Sequence, residues 1–265
     1  MQLEYFALSD VGKKREKNED SVLADGHAQL FLVADGMGGH LGGEYASRMA
    51  VNTIGAIIET LENDPNATLS TDTGVKPGDY KSLLNYAIQV ASNKVYEKAS
   101  ADPALHGMGT TTVGLLFRGN RVYIANVGDS RGYRIRGGKI EQVTEDHSLV
   151  GEQLRAGMLE PEEVREHRLK NIITRSVGFQ GEVEVDVVAR VVKPGDIYLL
   201  CSDGLSNMVP DAQLCDVVAH NKPKEACRRL IDIANERGGD DNISAVLVKV
   251  LSTESNDEEE TTIQL

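Results

Sequence analysis

The feature that most restricts the fold of this chain is a set of short apolar runs that stop or start at an acidic residue. Three stop at Asp beside Gly: Phe31-Leu-Val-Ala-Asp35-Gly36, Tyr123-Ile-Ala-Asn-Val-Gly128-Asp129 and Tyr198-Leu-Leu-Cys-Ser-Asp203-Gly204. Two open at acidic pairs, with Glu19-Asp20 before Ser21–Ala24 and Asp240-Asp241 before Ile243–Val250. Short apolar runs bounded by turn residues read as strands. Gly119-Asn120 joins Thr111–Phe117 to Arg121–Val127, and Gly137-Gly138 joins Tyr133–Arg136 to Ile140–Val143, each predicting a tight antiparallel hairpin. Val22–Ala24, Gln29–Ala34, Val183–Val192 and Ile197–Cys201 read as further strands.

Helical periodicity is confined to two regions. Ala46, Met49, Ala50, Ile54, Ile57, Ile58 and Leu61 recur on one face, and Leu84, Ala87, Ile88, Ala91 and Val95 repeat the pattern. Near the C-terminus Ala226, Cys227, Leu230, Ile231 and Ala234 form another, with a shorter candidate at Asp211–His220. The order is strands, two helices, many strands, helices, strand. That order predicts an α+β fold, with antiparallel sheets covered by helices, rather than a doubly wound one. Residues 145–181 are polar and interrupt the strand series like an inserted flap. Residues 251–265 hold five acidic residues and no basic one, which reads as a disordered tail.

Charge narrows the partners. Across 265 residues Lys plus Arg is 28 and Asp plus Glu is 41, a net charge of −13. Such a surface repels nucleic acid and anionic lipid, so neither is expected as a partner. The longest apolar runs are about five residues, against about 20 for a membrane helix. Met1–Tyr5 lacks the basic-then-apolar layout of a signal peptide, and a cytoplasmic location is expected. Cys201, Cys215 and Cys227 show no metal-type spacing and sit in apolar patterns, which predicts buried reduced thiols.

Singly, an Asp-Gly pair is a turn. As a set, the acidic residues demand more. The turn Asp25-Gly26-His27-Ala28 folds one strand back on the next, placing Asp20 nearly opposite Asp35. Carboxylates gathered at like ends of adjacent strands cannot all stay ionised without cations. An all-oxygen set without His or Cys favours Mg²⁺ or Mn²⁺. Two such ions can activate water and polarise a phosphoryl oxygen, which is metal-assisted phosphoester hydrolysis.

Competing patterns fail. From Gly36 the sixth position of a dinucleotide fingerprint is Leu41 rather than Gly, and no Gly-Lys-Ser/Thr of a phosphate loop is present. Gly128-Asp-Ser130-Arg-Gly132 matches G-x-S-x-G, but a hairpin strand follows where a helix is needed, so Ser130 is not expected to be a nucleophile. Arg six residues after a Cys is absent, which excludes a cysteine phosphatase. His27, His106 and His220 read as surface residues. His40, in the loop after Asp35, is the acid–base candidate.

The residues resemble the metal-dependent protein phosphatases of the protein phosphatase 2C type. Arg15-Glu-Lys-Asn18-Glu19-Asp20-Ser21 is similar to the family's first motif and Asp35-Gly36-Met37-Gly38-Gly39-His40 to its second. Gly109-Thr110-Thr111, Asn126-Val127-Gly128-Asp129-Ser130-Arg131, Ser202-Asp203-Gly204-Leu205 and Asp241-Asn242 follow in the family's order. The form of the second motif and the compact length resemble the bacterial branch. The resemblance implies one phosphatase domain over residues 1–250, a sandwich of two antiparallel sheets flanked by antiparallel helix pairs. It implies that Asp35 bridges two Mg²⁺ or Mn²⁺ ions, with the Gly36 carbonyl on one and Asp203 and Asp241 on the other. Glu19 and Asp20 then act nearby through water, Asp129 with Asp203 holds a weaker third ion, and Arg15 binds the substrate phosphate. The flap of residues 145–181, including Asp146-His147-Ser148 and Arg168–Arg175, shapes substrate access.

Two positions depart from relatives. Animal members carry His where this chain has Met37, which leaves the leaving-group acid to His40 or to water. Some relatives carry a third-metal Asp where this chain has Asn207. The implied activity is hydrolysis of phosphoserine and phosphothreonine in proteins by a metal-bridging hydroxide, opposing serine/threonine kinases. A catalytically dead phosphoprotein-binding fold and a structural Ca²⁺ site are the rival readings.

Overall fold

A computed structural model describes residues 1–38, 42–63, 75–160, 163 and 167–253. Its strands form two fully antiparallel sheets. The first has the order β1 (Gln2–Asp10), β11 (Ile243–Ser252), β10 (Ile197–Cys201), β7 (Arg131–Arg136), β8 (Lys139–Gln142). The second runs β2 (Asp20–Asp25), β3 (Leu30–Met37), β5 (Thr112–Arg118), β6 (Arg121–Val127), β9 (Asp186–Val191), with the short β4 (Gly109–Thr110) on the end of β3.

Period-two alternation sorts the side chains into three layers. Phe31 and Val33 of β3 and Tyr198 and Leu200 of β10 point between the sheets, where Val113, Leu115, Val246 and Val248 meet them. There Tyr5, Phe31, Phe117 and Tyr198 stack edge to face in a chain, with centroids 5.1 to 5.9 Å apart. The other face of β3, Leu30, Leu32 and Ala34, packs on α1 (Gly42–Asn63) and α2 (Tyr80–Ala101). The other face of β10, Ile197, Leu199 and Cys201, packs on α5 (Asp211–His220) and α6 (Pro223–Glu236). Between these pairs come α3 (Leu149–Arg155) and the single turn α4 (Asp203–Ser206). The expected sandwich with flanking helix pairs is therefore present. No described helix is long and apolar enough to cross a membrane.

Both hairpins form in the expected register, Arg118 opposite Arg121 and Arg136 opposite Lys139. Several elements differ from expectation. β1 was not anticipated, although Leu3 and Ala7 face the inter-sheet core while Phe6 and Leu8 face the helices. The strand expected at Val183–Val192 begins only at Asp186, because Val183 N–H and carbonyl are taken by the Gln89 side chain of α2. Cys201 and Cys227 are buried free thiols as expected, but Cys215 is only half-buried. The disordered tail expected from residue 251 does not begin there, since Leu251 and Ser252 continue β11, which pairs with β1. Its remainder beyond residue 253, and His40, lie outside the described residues.

Candidate metal centre

Strand direction carries the acidic residues to one edge of the sandwich. β2 starts at Asp20 while its antiparallel neighbour β3 passes Asp35, and the two are direct register partners. Asp129 follows β6 and Asp203 follows β10. Asp241 precedes β11, which pairs with β10. The five carboxylates thus come from both sheets and meet across the sandwich end.

Backbone and hydroxyl groups fix them in place. Asp35 N–H donates to Thr111 Oγ1 at 2.9 Å, and its carbonyl accepts from Thr111 N–H at 2.8 Å and Thr110 Oγ1 at 2.9 Å. Asp20 Oδ2 accepts from Ser202 Oγ at 2.8 Å and Ser244 Oγ at 2.7 Å. Asn242 accepts from Glu19 N–H at 2.7 Å and donates to the Val11 and Lys17 carbonyls, both at 2.9 Å, tying the loop before β2 to the loop before β11. Gly36 has no room for a side chain: a β-carbon would stand 2.1 Å from the Gly43 carbonyl oxygen.

The electrostatics follow from crowding. Burial, followed by the charges of Asp20, Asp203, Asp129 and Asp241, lifts the Asp35 carboxyl well above the usual range. Burial pushes Asp20 up to about 7 against the opposing hydrogen bonds of Ser244 and Ser202. Burial with Asp203 and Asp146 pushes Asp129 up to about 8. Asp203 is raised by burial and by Asp241, and Glu19 by burial. Groups that resist ionisation this strongly in one cleft call for positive charge. Arg15 supplies part of it at the rim, donating to Asp241 Oδ2 at 2.8 Å with its side chain 50% exposed.

The donor set suits a hard divalent ion. Asp20 Oδ1 and Asp203 Oδ1 are buried without a hydrogen-bond partner, each a carboxylate oxygen left with a free lone pair. Among the described residues no three Asp, Glu, His or Cys side chains form a ready-made chelate, so water and backbone oxygens would have to complete any ligand shell. The cleft beside Asp129 and Asp203 is walled on its far side by Ser148, Val150 and Lys170 of the inserted segment. A larger groove between α2 and β9, around Lys81, Tyr86 and Gln89, is lined by no acidic side chain.

The protein phosphatase 2C family matches residues 7–243. This chain belongs to that family. The serine/threonine phosphatase stp of Listeria innocua is 38% identical over 245 residues, covering 91% of this chain and 93% of the relative. The serine/threonine protein phosphatase PstP of Mycobacterium tuberculosis is 37% identical over 249 residues, 94% of this chain. This chain spans only 45% of that mycobacterial relative. The crystal structure of the PstP catalytic domain in complex with two manganese ions superimposes with a TM-score of 0.81 at 36% identity, covering 94% of this chain and 99% of that one.

Most expected site residues are therefore together: Asp20, Asp35, Asp129, Asp203 and Asp241 share one field, with Glu19 and Arg15 at its edge. Asp240 is not among them, pairing outward with Lys14 at 3.1 Å. Asn207 donates to Asp203 Oδ2 at 3.1 Å. Ser130 is buried and bonded to Thr111 Oγ1 at 2.8 Å, which removes it as a nucleophile. Sequence reasoning missed Ser202 and Ser244 as holders of Asp20. The available signal was polar residues inside otherwise apolar buried strand runs.

Proposed function

We propose that this chain is a Mg²⁺- or Mn²⁺-dependent phosphatase that hydrolyses phosphoserine and phosphothreonine in proteins. The observation that carries this reading is the convergence of five strand-end carboxylates with two buried, unpartnered oxygens among them. Asp35 with the Gly36 carbonyl, and Asp203 with Asp241, are the residues that would hold two ions. Glu19 and Asp20 would reach them through water, and Asp129 with Asp203 would hold a weaker third. Such ions, when bound, supply Lewis acidity toward the phosphoryl group and activate water at neutral pH.

The chain's own groups define the rest. Arg15 lies at the mouth and would exchange Asp241 for the substrate phosphate, a bidentate partner suited to a guanidinium. On this reading no covalent phosphoenzyme forms: Ser130 is buried, and so is Cys201, whose thiol burial pushes up to about 12. Water therefore attacks phosphorus directly. Met37 carries no exchangeable proton, so protonation of the leaving alkoxide is assigned to His40 or to water. Residues 1–250 form the phosphatase domain and residues 145–181 its flap. The substrates are products of serine/threonine kinases, and a surface of net charge −13 disfavours nucleic acid.

The deciding experiment is phosphate release from a phosphothreonine peptide with Mn²⁺, repeated after adding a chelator. Release that the chelator stops, and that Asp35→Ala abolishes, is the expected result. Wild-type turnover in Asp35→Ala would sink the assignment. Metal uptake without phosphate release would favour a catalytically silent binding fold.

A further inference from the structure

His147 is 2% exposed and bonds three separate segments. Its Nδ1 accepts from Gly128 N–H at 3.1 Å, and its own N–H donates to the Gly128 carbonyl at 2.9 Å. Its Nε2 lies 3.1 Å from Asp186 Oδ2 on β9. Its carbonyl accepts from Thr174 N–H at 2.9 Å, at the far end of the insert, where Arg175 bonds Asp186 Oδ1 at 3.2 Å. A backbone N–H can only donate, so Nδ1 holds a lone pair and the ring proton sits on Nε2. Nε2 gives it to Asp186 Oδ2 at 3.1 Å, the nearer neighbour, with Arg175 Nη1 at 3.5 Å.

Gly128 directly precedes Asp129 and has φ +103°, a conformation that calls for glycine, whose missing β-carbon lets its peptide planes swing unless something grips them. A β-carbon there would stand 2.7 Å from Thr111 Cβ, so the residue cannot be stiffened by substitution. His147 grips it at both its N–H and its carbonyl. Asn126 Nδ2 adds a longer contact to the same carbonyl, at 3.3 Å. The same imidazole and its backbone hold two stretches of the insert, residues 146–148 and 172–175, against β9.

We infer that His147 is a positioning residue, fixing Asp129 in the acidic centre and locking it to the root of the insert. The inference rests on the reading of Asp129 as part of a metal-binding centre. It assigns the ring's two nitrogens separate tasks. Nδ1 holds the peptide before Asp129, and Nε2 holds the insert through Asp186.

The two tasks separate by substitution, because Asn places an amide atom near Nδ1 and Gln places one near Nε2. Mn²⁺ binding is measured on purified full-length wild type, His147→Asn, His147→Gln and Asp129→Asn. Losing the Gly128 acceptor strands a buried donor, so His147→Gln should weaken the weakest class of Mn²⁺ site about tenfold. Asp129→Asn should shift the same class, whereas His147→Asn should restore affinity to near wild type. His147→Asn should instead raise KM for a phosphopeptide and speed tryptic cleavage at Arg168 or Lys170.

If Asp129→Asn shifts the isotherm while His147→Gln and His147→Asn behave alike, the inference falls and the reading of the site stands. If wild type takes up no Mn²⁺, the site reading falls and takes the inference with it. The ring ¹⁵N spectrum of the wild-type protein provides a test that needs no variant. An unprotonated Nδ1 with a protonated Nε2 supports the latch, and the opposite tautomer overturns it.

Discussion

Gly36→Ala is the sharpest test of how the acidic edge is built. Its β-carbon would stand 2.1 Å from the Gly43 carbonyl oxygen, 2.4 Å from the Gly43 carbonyl carbon and 2.6 Å from the Glu19 carbonyl oxygen. All three are backbone atoms, so no rotamer change relieves the clash. Ordinary contact begins near 3.4 Å, so β3 must part from both α1 and the approach to β2, each by about 1 Å. That movement breaks the 3.2 Å bond from Gly36 N–H to the Glu19 carbonyl. Overpacking and the lost bond together cost about 3 kcal/mol. For a chain this long that is a melting temperature lower by about 6–12 °C. The measurement is thermal unfolding by circular dichroism in chelator, with Gly55→Ala as control. In α1 the nearest atom to a new β-carbon at Gly55 is the side-chain Leu23 Cδ2 at 3.3 Å. The helix-propensity gain is set against a small shift of Leu23, and stability should stay within about 1 kcal/mol of wild type. Because the clash moves Asp35 relative to Glu19 and Asp20, phosphatase turnover with Mn²⁺ should also drop, by about 100-fold for a shift of about 1 Å. A Gly36→Ala protein that melts within about 1 °C of wild type would refute the reasoning.

Two other consequences are open to direct measurement. In chelated protein Asp20 and Asp129 titrate at about 7 and about 8, above the ~3.9 of an unfolded Asp, so the native state keeps protons the unfolded chain has released. Their favourable contribution is complete below about pH 4 and lost as pH rises through 7 and 8; the melting temperature of chelated protein should fall over that range, Mn²⁺ should raise it most at the alkaline end, and a flat profile would count against the crowding. Arg136 clamps Asp196, which is 1% exposed, through two 2.6 Å bonds remote from the centre. Arg136→Ala should cost about 2–3 kcal/mol, scaled down because Arg136 is itself about one-third exposed, and leave kcat unchanged below its melting temperature.

What the sequence made legible was whatever local chemistry decides. The two-residue Gly turns fix both hairpin registers, and the Asp25–Ala28 turn sets Asp20 against Asp35 without reference to the rest of the fold. The helix pairs were legible because one-faced periodicity has no competing explanation. β1 was not, because Gln2–Asp10 has apolar side chains on both faces and finds its identity only by pairing with β11, more than 230 residues away. α4 was missed because four residues carry no periodicity, and α3 because the insert's mixed polar composition hides a two-turn helix capped by Ser148. At the centre, the acidic residues announced themselves by ending apolar runs. Their holders did not: Ser202, Ser244, Asn242 and His147 act through partners in distant segments.

The centre is held by two kinds of force that pull in opposite directions. Hydroxyl and backbone donors orient Asp20 through its carboxylate and Asp35 through its carbonyl, and Arg15 neutralises part of Asp241. Each also commits a carboxylate to a place where its neighbours repel it. Asp20 shows the balance within one group: Oδ2 receives two hydroxyl bonds while Oδ1, equally enclosed, receives none. Were the site only structural, satisfying that second oxygen with another serine would stabilise the fold, and an apolar replacement would do so too. The arrangement instead keeps a strong acceptor buried, oriented and without a protein hydrogen-bond donor, with the surrounding sandwich supplying the stability this costs. A bound cation relieves the repulsion, so affinity for it and instability without it are two sides of one linkage. Changes that relieve the apo protein by neutralising one carboxylate should therefore weaken metal binding, and the close backbone packing around Gly36, where even a β-carbon would stand 2.1 Å from the Gly43 carbonyl oxygen, denies the site an easy way out of the conflict.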